Sequence, residues 1–431
     1  MTNPTDSLWN RRQALQALGL GGLAMTVAAC SSKGASPVTG AAEVKELNFY
    51  NWSMAEAAPK PVWEKMLAAY QTKTGIKIKP VTYPFTGFLE PMLLAARNGQ
   101  AFGTFQIGID VVKSFSSLGV LEDLSDIAAK HDYVPATLLN GQIDGKQYAL
   151  PQYSGAIGTF VNQKWLDRVG VKPGEEPETI ADFEKLLLEL KKIKGVIPWV
   201  ASTKDPALKD IIPWMWTFGS PIFENGKVTV GDDASVEALE WYKSILDRGL
   251  CIPDVSRTES RVIFGRGDGA YYEDATLARS YLTAAPHGAE TVKTIRPVAR
   301  AVLKAGDKPR ALTHGHAIAV LKGKGSTTAR ALAEYLTSDP EALKTFFEGT
   351  SLPTPTKTSL EASYFANDQY QKDFAAKVTD SATPDPFWAF SNFAQIEKIL
   401  TDSVAEVLAG RKKAKPALTD AAKQMQSIIK L

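Results

Sequence analysis

The sequence predicts an α/β protein in which helices cover the faces of a parallel or mixed sheet. Strand-like and helix-like segments alternate along the chain, and glycines end the first helical segments. The chain has 431 residues, of which 44% are hydrophobic and 22% are charged. That composition describes a globular protein, and the length is too great for one ordinary core. We therefore expect two domains, or two lobes that share the chain.

The first segments follow the order strand, helix, strand, helix, strand. They cover residues 44–50, 62–70, 76–81, 88–98 and 104–109. Asp144-Gly145 is a turn signal, and it precedes two strands, 147–150 and 156–161, which Pro151 separates. The middle of the chain is mostly helical, with Thr179 and Asp232 or Asp233 as helix-capping residues. Further strands are predicted at 269–272, 294–298 and 316–321, and an apolar stripe over 396–407 predicts a C-terminal helix.

The first 29 residues are typical of an export signal. Arg11 and Arg12 precede a short apolar stretch that ends Val27-Ala28-Ala29-Cys30. This ending resembles the lipobox of bacterial lipoproteins, which implies lipidation of Cys30 and a membrane anchor. The paired arginines leave Sec and twin-arginine export open. Residues 30–42 are a flexible tether, so we expect a protein exported to the periplasm or the outer face of the cell membrane.

Charge and cysteine content restrict the classes of partner. Lys and Arg total 49 against 47 Asp and Glu, a formal net charge of +2 without a long run of one sign, so no nucleic-acid partner is expected. The expected ligand is a small molecule that is either neutral or carries a charge recognised by a few nearby side chains. Cys251 is the second of two cysteines, and we expect it to be a small buried hydrophobic residue rather than half of a disulfide.

Polar and aromatic residues follow several predicted strands. In α/β proteins the ligand lies beyond the carboxyl ends of the strands, where the connecting loops meet. Such side chains bind polyhydroxylated ligands by ring stacking and paired hydrogen bonds. The candidates are Asn51, Trp52, Asp110, Gln152, Tyr153, Glu273 and Asp274.

Each candidate also has a purely structural interpretation. Trp52 is expected to be exposed by its loop position and could stack on a sugar ring, or it could pack between lobes. Asp110, Glu273 and Asp274 could accept hydrogen bonds from hydroxyls, pair with an ammonium group, or lie at helix N-termini.

Other candidates lie outside the predicted strand ends. Trp214 and Trp216 cannot share a helix face, so one of them is expected in the core. Trp388 lies in an aromatic loop where binding and packing are equally plausible. His314 and His316 share one face of a strand, but no third ligand is in view, so no metal or other cofactor is expected and His314 is assigned a hydrogen-bonding role.

The segments that carry a family resemblance lie in order over nearly the whole chain after the tether. They are residues 47–52, 115–124, 144–151, 264–272, 316–320, 331–336 and 349–353. With these segments the sequence resembles the extracellular solute-binding proteins of ABC importers, in the group that binds sugars. The resemblance implies two α/β lobes that close on the ligand like a hinge, with an ABC permease as partner, and we expect a monomer.

The implied lobes are discontinuous in sequence, with 43–153 and 275–322 in one and 154–274 and 323–431 in the other. The sequence departs from the family pattern at Gly103-Thr104-Phe105 and at Glu273-Asp274-Ala275, both near the expected pocket. A polyamine receptor is the alternative, because such proteins share the Tyr-Asn-Trp strand end and use carboxylates around ammonium groups. A carbohydrate-active hydrolase would need two carboxylates facing one glycosidic bond. Only Asp110 with Glu273 could be nominated, so no catalysis is expected.

Overall fold

The computed structural model describes residues 43–204, 208–284 and 288–430. The predicted signal segment, Cys30 and the tether lie outside this described part. Within it, all residues belong to one compact unit. No helix among the described residues has both the length and the apolar character needed to cross a membrane.

The strands alternate with helices from the first described residues onward, as predicted. The strands are β1 (Glu46–Asn51), β2 (Lys77–Thr82), β3 (Gly103–Gly108), β4 (Gln142–Ile143), β5 (Lys146–Gln147), β6 (Ala149–Asn162), β7 (Ile197–Val200), β8 (Phe223–Glu224), β9 (Lys227–Val228), β10 (Gly269–Asp274), β11 (Ile295–Val298), β12 (Ala311–Leu321) and β13 (Ala382–Thr383).

The helices flank this sheet. They are α1 (Lys60–Thr74), α2 (Leu89–Arg97), α3 (Val112–Ser117), α4 (Ser125–Lys130), α5 (Pro135–Leu138), α6 (Gln163–Asp167), α7 (Ile180–Lys191), α8 (Ile211–Phe218), α9 (Asp233–Asp247), α10 (Arg257–Gly265), α11 (Ala278–Ala284), α12 (Gly288–Thr294), α13 (Ser326–Ser338), α14 (Pro340–Thr350), α15 (Lys357–Glu361), α16 (Ser363–Ala366), α17 (Gln369–Lys377), α18 (Phe393–Leu408) and α19 (Ala414–Ile428). Thr179 caps α7 and Asp232 caps α9 through their side-chain oxygens, as predicted.

The sheet is mixed, in the order β2-β1-β3-β12-β6-β10-β7, with β11 also on β6 and β13 also on β12. β1 is parallel to β2 and β3, whereas β12 is antiparallel to β3 and β6. β6 serves two groups of strands, because residues 149–157 pair with β12 and residues 158–162 pair with β10 and β11. One long strand therefore connects the two halves of the sheet.

Two predicted strand boundaries around Pro151 are wrong. The chain forms one strand of 14 residues where two short strands were expected. The register against β12 shifts at this point, with His316 opposite Tyr153 and Ala317 opposite Pro151, so that Gln152 is a bulge residue. A proline is tolerated beside a bulge and where one edge of its strand is unpaired. Gln152 and Tyr153 consequently lie within a strand rather than after one.

The two faces of the first half of the sheet bury different apolar clusters. Phe105 and Ile107 of β3 pack into one cluster, and Phe49 of β1 and Ile318 of β12 pack into the other, beneath α1, α13 and α14. Because side chains alternate along a strand, Asn51, Gln106 and His316 lie on the face of the second cluster. This face ends at the carboxyl ends of β1 and β3.

Candidate ligand-binding site

Asn51 ends β1 as a fully buried residue. Its Oδ1 accepts a hydrogen bond from the Met54 backbone N–H at 2.8 Å, in the short 3-10 turn Ser53–Ala55. A backbone N–H is always a donor, so this bond identifies the oxygen of the amide and leaves Nδ2 facing away. Nδ2 is buried and has no hydrogen-bond partner within the described ranges. Asn51 therefore offers a buried donor.

Trp52 follows Asn51 and is 4% exposed, so the expectation of an exposed loop tryptophan is wrong. The rings of Phe85, Phe88 and His316 approach it at centroid distances of 5.8, 5.0 and 4.8 Å, each close to edge-on. The turn at Ser53–Ala55 folds the chain back directly after β1, so Trp52 lies in the protein interior and not in an exposed loop. Trp52 forms an aromatic wall beside the Asn51 amide.

Gln106 joins the polar groups of this face. Its Oε1 accepts a hydrogen bond from Ser53 Oγ at 2.9 Å, and its Nε2 donates to Gln152 Oε1 at 3.1 Å. Gln106 Nε2 also lies 3.1 Å from His316 Nδ1. Gln106 and Gln152 are both buried, and Gln152 Nε2 has no partner among the described residues.

Tyr153 and the two histidines complete the cluster. The Tyr153 ring lies 4.7 Å from the ring of His316 and 5.9 Å from that of His314, and the two histidine rings are 5.3 Å apart. Burial, followed by the charges of Arg261 and Lys209, lowers the pKa of His316 to about 3. Burial also lowers the pKa of His314 well below its ordinary value. Both rings are therefore neutral at neutral pH.

Asp110 belongs to a second group of contacts. It lies in the 3-10 turn Ile109–Val111, and Lys209 Nζ is 3.3 Å from its carboxylate and 3.1 Å from that of Glu397 in α18. Burial would lower the pKa of Lys209, but the charges of Glu397 and Asp110 outweigh it and the pKa is raised. Trp388 lies in the nearby turn Pro386–Ala389, half-buried against Phe393 with ring centroids 6.5 Å apart.

Glu273 and Asp274 were expected in a loop, and this prediction is wrong. They are the last residues of β10, both buried, because β10 continues pairing with β6 as far as Asp274. Glu273 pairs with Arg300, and Asp274 pairs with Arg261 Nε at 2.7 Å. Burial raises the pKa of Glu273 to about 7 despite the Arg300 charge. Burial would raise the pKa of Asp274 too, but the Arg261 charge and hydrogen bond outweigh it and the pKa is lowered.

The tryptophans of α8 divide as expected, with Trp214 buried and Trp216 half-buried. Trp214 lies 4.6 Å from the Trp241 ring and carries the Arg300 guanidinium over its face at 4.7 Å. It is thus part of an aromatic core. Cys251 is buried as predicted, and burial raises the pKa of its thiol to about 12.

The predicted site residues fall into three groups. Asn51, Trp52, Gln152, Tyr153 and His314 lie in one contact cluster, which we call the amide–aromatic cluster together with Ser53, Gln106 and His316. Asp110 is one of the two carboxylates paired with Lys209, and Trp388 packs on Phe393 of α18. Trp214, Glu273 and Asp274 belong to the buried ion pairs and core around Arg300 and Arg261, and Trp216 lies beside them in α8.

Sequence reasoning missed Gln106 and Lys209. Gln106 did have a signal, because it is a polar residue in the middle of the apolar run Phe105-Gln106-Ile107, and buried amides need partners. Lys209 has no comparable signal, since it lies in the 3-10 turn Leu208–Asp210, 99 residues along the chain from Asp110. Within the described residues no group of three or more His, Cys, Asp and Glu side chains could hold a metal ion.

The chain is similar to known proteins in sequence and in structure. Residues 65–378 match the family model of the bacterial extracellular solute-binding proteins. A putative binding protein of Brucella abortus is 23% identical over 401 residues, which is 88% of this chain and 92% of that protein. The diacetylchitobiose binding protein DasA of Streptomyces coelicolor is 27% identical over 179 residues, 40% of this chain and 41% of that protein.

The GacH receptor of Streptomyces glaucescens, solved without ligand and in complex with acarbose, superposes with a TM-score of 0.80 at 20% identity, over 90% of this chain and 100% of that chain. This likeness confirms the predicted two-lobed α/β fold. The family match confirms a binding protein rather than an enzyme, and an exported one. With 314 of its residues inside the family model, the chain belongs to the bacterial extracellular solute-binding proteins.

Proposed function

We propose that this protein captures a carbohydrate, either a mono- or an oligosaccharide, at the amide–aromatic cluster and delivers it to the permease of an ABC importer. One observation carries the proposal. Asn51 Nδ2, Gln152 Nε2 and the Tyr153 hydroxyl are buried polar atoms without a hydrogen-bond partner among the described residues, and they belong to the amide–aromatic cluster, at the end of β1 and within β6. Buried polar groups are usually paired, and the occurrence of these three in one cluster supports a hydrogen-bonding partner from outside the chain.

The chemistry of the cluster suits a sugar. Its polar groups are neutral amides, imidazoles and a phenol, which match hydroxyl groups that both donate and accept. Aromatic rings can pack against the apolar C–H face of a pyranose. The relatives point the same way, since DasA is a diacetylchitobiose binding protein and GacH was solved with acarbose.

A polyamine ligand is less well supported by these contacts. Ammonium groups need free carboxylates, yet Asp110 is paired with Lys209, Glu273 with Arg300 and Asp274 with Arg261. A polyamine would have to displace a protein cation from each of them, at a cost in desolvation and lost hydrogen bonds. A hydrolase would need two of these same carboxylates for catalysis.

We also propose that two lobes close on the sugar, with α13 and α14 in the lobe of β1 and β12 and with β11 in the lobe that contains the second half of β6. Ion pairs between the proposed lobes include Asp110 to Lys209 and Glu56 to Arg261 at 3.4 Å. The burial of Trp52 and Asn51 requires that the sugar enter while the lobes are apart and that closure follow, as a shift between two populations. A lipid on Cys30 would hold the monomeric receptor at the membrane beside its permease.

The ligand class is tested by a thermal-shift screen. The panel contains glucose, maltose, maltotriose, diacetylchitobiose, acarbose, putrescine and spermidine. We expect at least one carbohydrate to raise the melting temperature, because a ligand that binds only the native state stabilises it by mass action, by about 2.7 kcal/mol at a concentration 100 times its Kd. Stabilisation by the amines alone would replace the proposal with the polyamine receptor.

The site is tested by Asn51→Asp. The carboxylate can still accept the Met54 N–H, so the turn is retained, but the free NH2 donor becomes an acceptor. We expect carbohydrate affinity measured by calorimetry to fall at least tenfold, about 1.4 kcal/mol.

Asn392→Asp is the matched control for this change. The Asn392 amide donates to the Ile428 carbonyl, away from the amide–aromatic cluster, so this substitution should leave affinity unchanged. Equal affinities of Asn51→Asp and the wild type would remove Asn51 from the site.

A further inference from the structure

Gln106 has all its amide hydrogen-bonding groups engaged inside the protein. Its oxygen accepts from Ser53, and its nitrogen lies 3.1 Å from both Gln152 Oε1 and His316 Nδ1. An amide NH2 has two hydrogens and no acceptor, so each of these neighbours must accept one hydrogen bond. Gln106 is 1% exposed, and it has no N–H left for a ligand.

We infer that Gln106 is a positioning residue for the proposed carbohydrate site, which fixes the Gln152 amide and the His316 tautomer so that this wall presents hydrogen-bond donors. The inference rests on the proposed function for the identity of the ligand, but the hydrogen bonds that it assigns can be measured in the ligand-free protein. Gln152 Oε1 accepts the hydrogen bond from Gln106, so Nε2 is on the side of the amide that faces away from Gln106. Nε2 has no hydrogen-bond partner among the described residues.

The same reasoning applies to His316. The ring is neutral at neutral pH, so it carries one proton. Since Nδ1 accepts from Gln106, that proton lies on Nε2. Asn51 independently offers Nδ2, because its oxygen is held by the Met54 backbone N–H. Three donors from three different strands thus belong to one cluster.

A wall of donors specifies the chemistry of the ligand. The group that binds there must supply acceptor oxygens, such as hydroxyl, ring or glycosidic oxygens whose own protons go elsewhere. An ammonium group has donors only and would leave all these N–H groups unpaired. The hydrogen bonds that run from Ser53 through Gln106 to Gln152 and His316, which we call the relay, thereby favour the binding of carbohydrates over polyamines without using any charged residue.

The β-bulge explains why the relay forms. Gln152 is the extra residue in β6, opposite the step between His316 and Ala317. A bulge changes the direction of the side chain of the extra residue. Here the amide of Gln152 in β6 lies within hydrogen-bond distance of Gln106 in β3, the strand on the other side of β12. The bulge therefore places the Gln152 amide beside Gln106, on the face that also carries Asn51 and His316.

The tautomer of His316 is the direct readout. In ¹⁵N-labelled, ligand-free wild-type protein, long-range proton–nitrogen correlation at pH 7 should show His316 as the Nε2–H tautomer. Gln106→Glu has the same shape, but a carboxylate only accepts, so it should draw the proton to Nδ1 and reverse the Gln152 amide. Carbohydrate affinity should then fall at least tenfold for every sugar of the screen that binds the wild type.

Two further variants serve as a milder perturbation of the same hydrogen bonds and as a control. Ser53→Ala removes only the donor to Gln106 Oε1, so it should leave the fold intact and give a mixture of the two tautomers. Gln371→Glu changes another buried glutamine, which donates to the Ser351 carbonyl, so it can lower stability but should leave the His316 tautomer unchanged.

Wild-type His316 in the Nδ1–H form would overturn the inference. So would Gln106→Glu with the wild-type tautomer, and if that variant fails to fold, the wild type and Ser53→Ala still decide. If no sugar of the panel binds, the proposed function fails on its own, while the tautomer of the free protein continues to test the relay.

Discussion

Replacing Arg300 with methionine is expected to lower the free energy of unfolding by about 3–5 kcal/mol, the range typical when one partner of a buried ion pair is removed. Arg300 pairs with Glu273, donates from Nε to the Arg310 carbonyl at 2.9 Å, and covers the Trp214 ring. Methionine can fill much of this space, but the Glu273 carboxyl is then buried without its cation and must either stay charged in the core or take up a proton. Urea denaturation at pH 7 measures the loss.

Two controls isolate the ion pair. The double variant Arg300→Met with Glu273→Gln should recover much of the loss, because both charges are then gone, and a double-mutant cycle gives the coupling. Lys344→Met breaks an exposed helical pair with Glu348 at 3.1 Å, and it should cost less than about 0.5 kcal/mol. A loss below about 1 kcal/mol for Arg300→Met would show that the pair contributes little to stability.

His316→Gln is expected to change how stability depends on pH. The folded protein holds the pKa of His316 at about 3, below its ordinary value of 6.5. Below pH 6.5 the unfolded chain takes up a proton that the folded protein does not, so this stabilising contribution is complete above pH 6.5 and is lost as pH falls toward 3. The loss approaches about 1.4 kcal/mol per pH unit. Glutamine lacks this titration and can still accept from Gln106 through its oxygen.

Between pH 6.5 and pH 4.5 the free energy of unfolding of the wild type should therefore fall by about 2 kcal/mol more than that of His316→Gln. The comparison between the two proteins is essential, because burial raises the pKa of Glu273 and of Asp385 to about 7 and these groups act in the opposite direction in both proteins. Between pH 7 and pH 8 the difference should be flat. Parallel profiles from pH 6.5 to 4.5 would show that His316 is not held neutral by the fold.

The fold could be predicted from the sequence to a large extent because its signals are local. Strand–helix alternation, glycine stops and capping residues such as Thr179 and Asp232 each act within a few residues, and the elements form close to the predicted positions. The exception is β6, where Pro151 predicted a break. Whether a proline interrupts a strand depends on which neighbour pairs with it, and that neighbour, β12, is about 160 residues away.

The site was less predictable, for the same physical reason. The strand-end rule placed Asn51, Trp52, Gln152 and Tyr153 in one region, and they do lie in one cluster. It could not show that β10 continues through Glu273 and Asp274, or that Arg300 and Arg261 would neutralise them. Ion-pair partners are set by the three-dimensional packing of distant segments. Local patterns therefore locate polar residues near an edge but do not decide which of them remain unpaired.

A crystal structure with the carbohydrate that gives the largest thermal shift tests the proposed site most directly. We expect sugar oxygens within hydrogen-bond distance of Asn51 Nδ2 and Gln152 Nε2, with the sugar against the Trp52 and Tyr153 rings. A carbohydrate bound elsewhere, with both amides still without a partner, would contradict the assignment of the amide–aromatic cluster as the binding site.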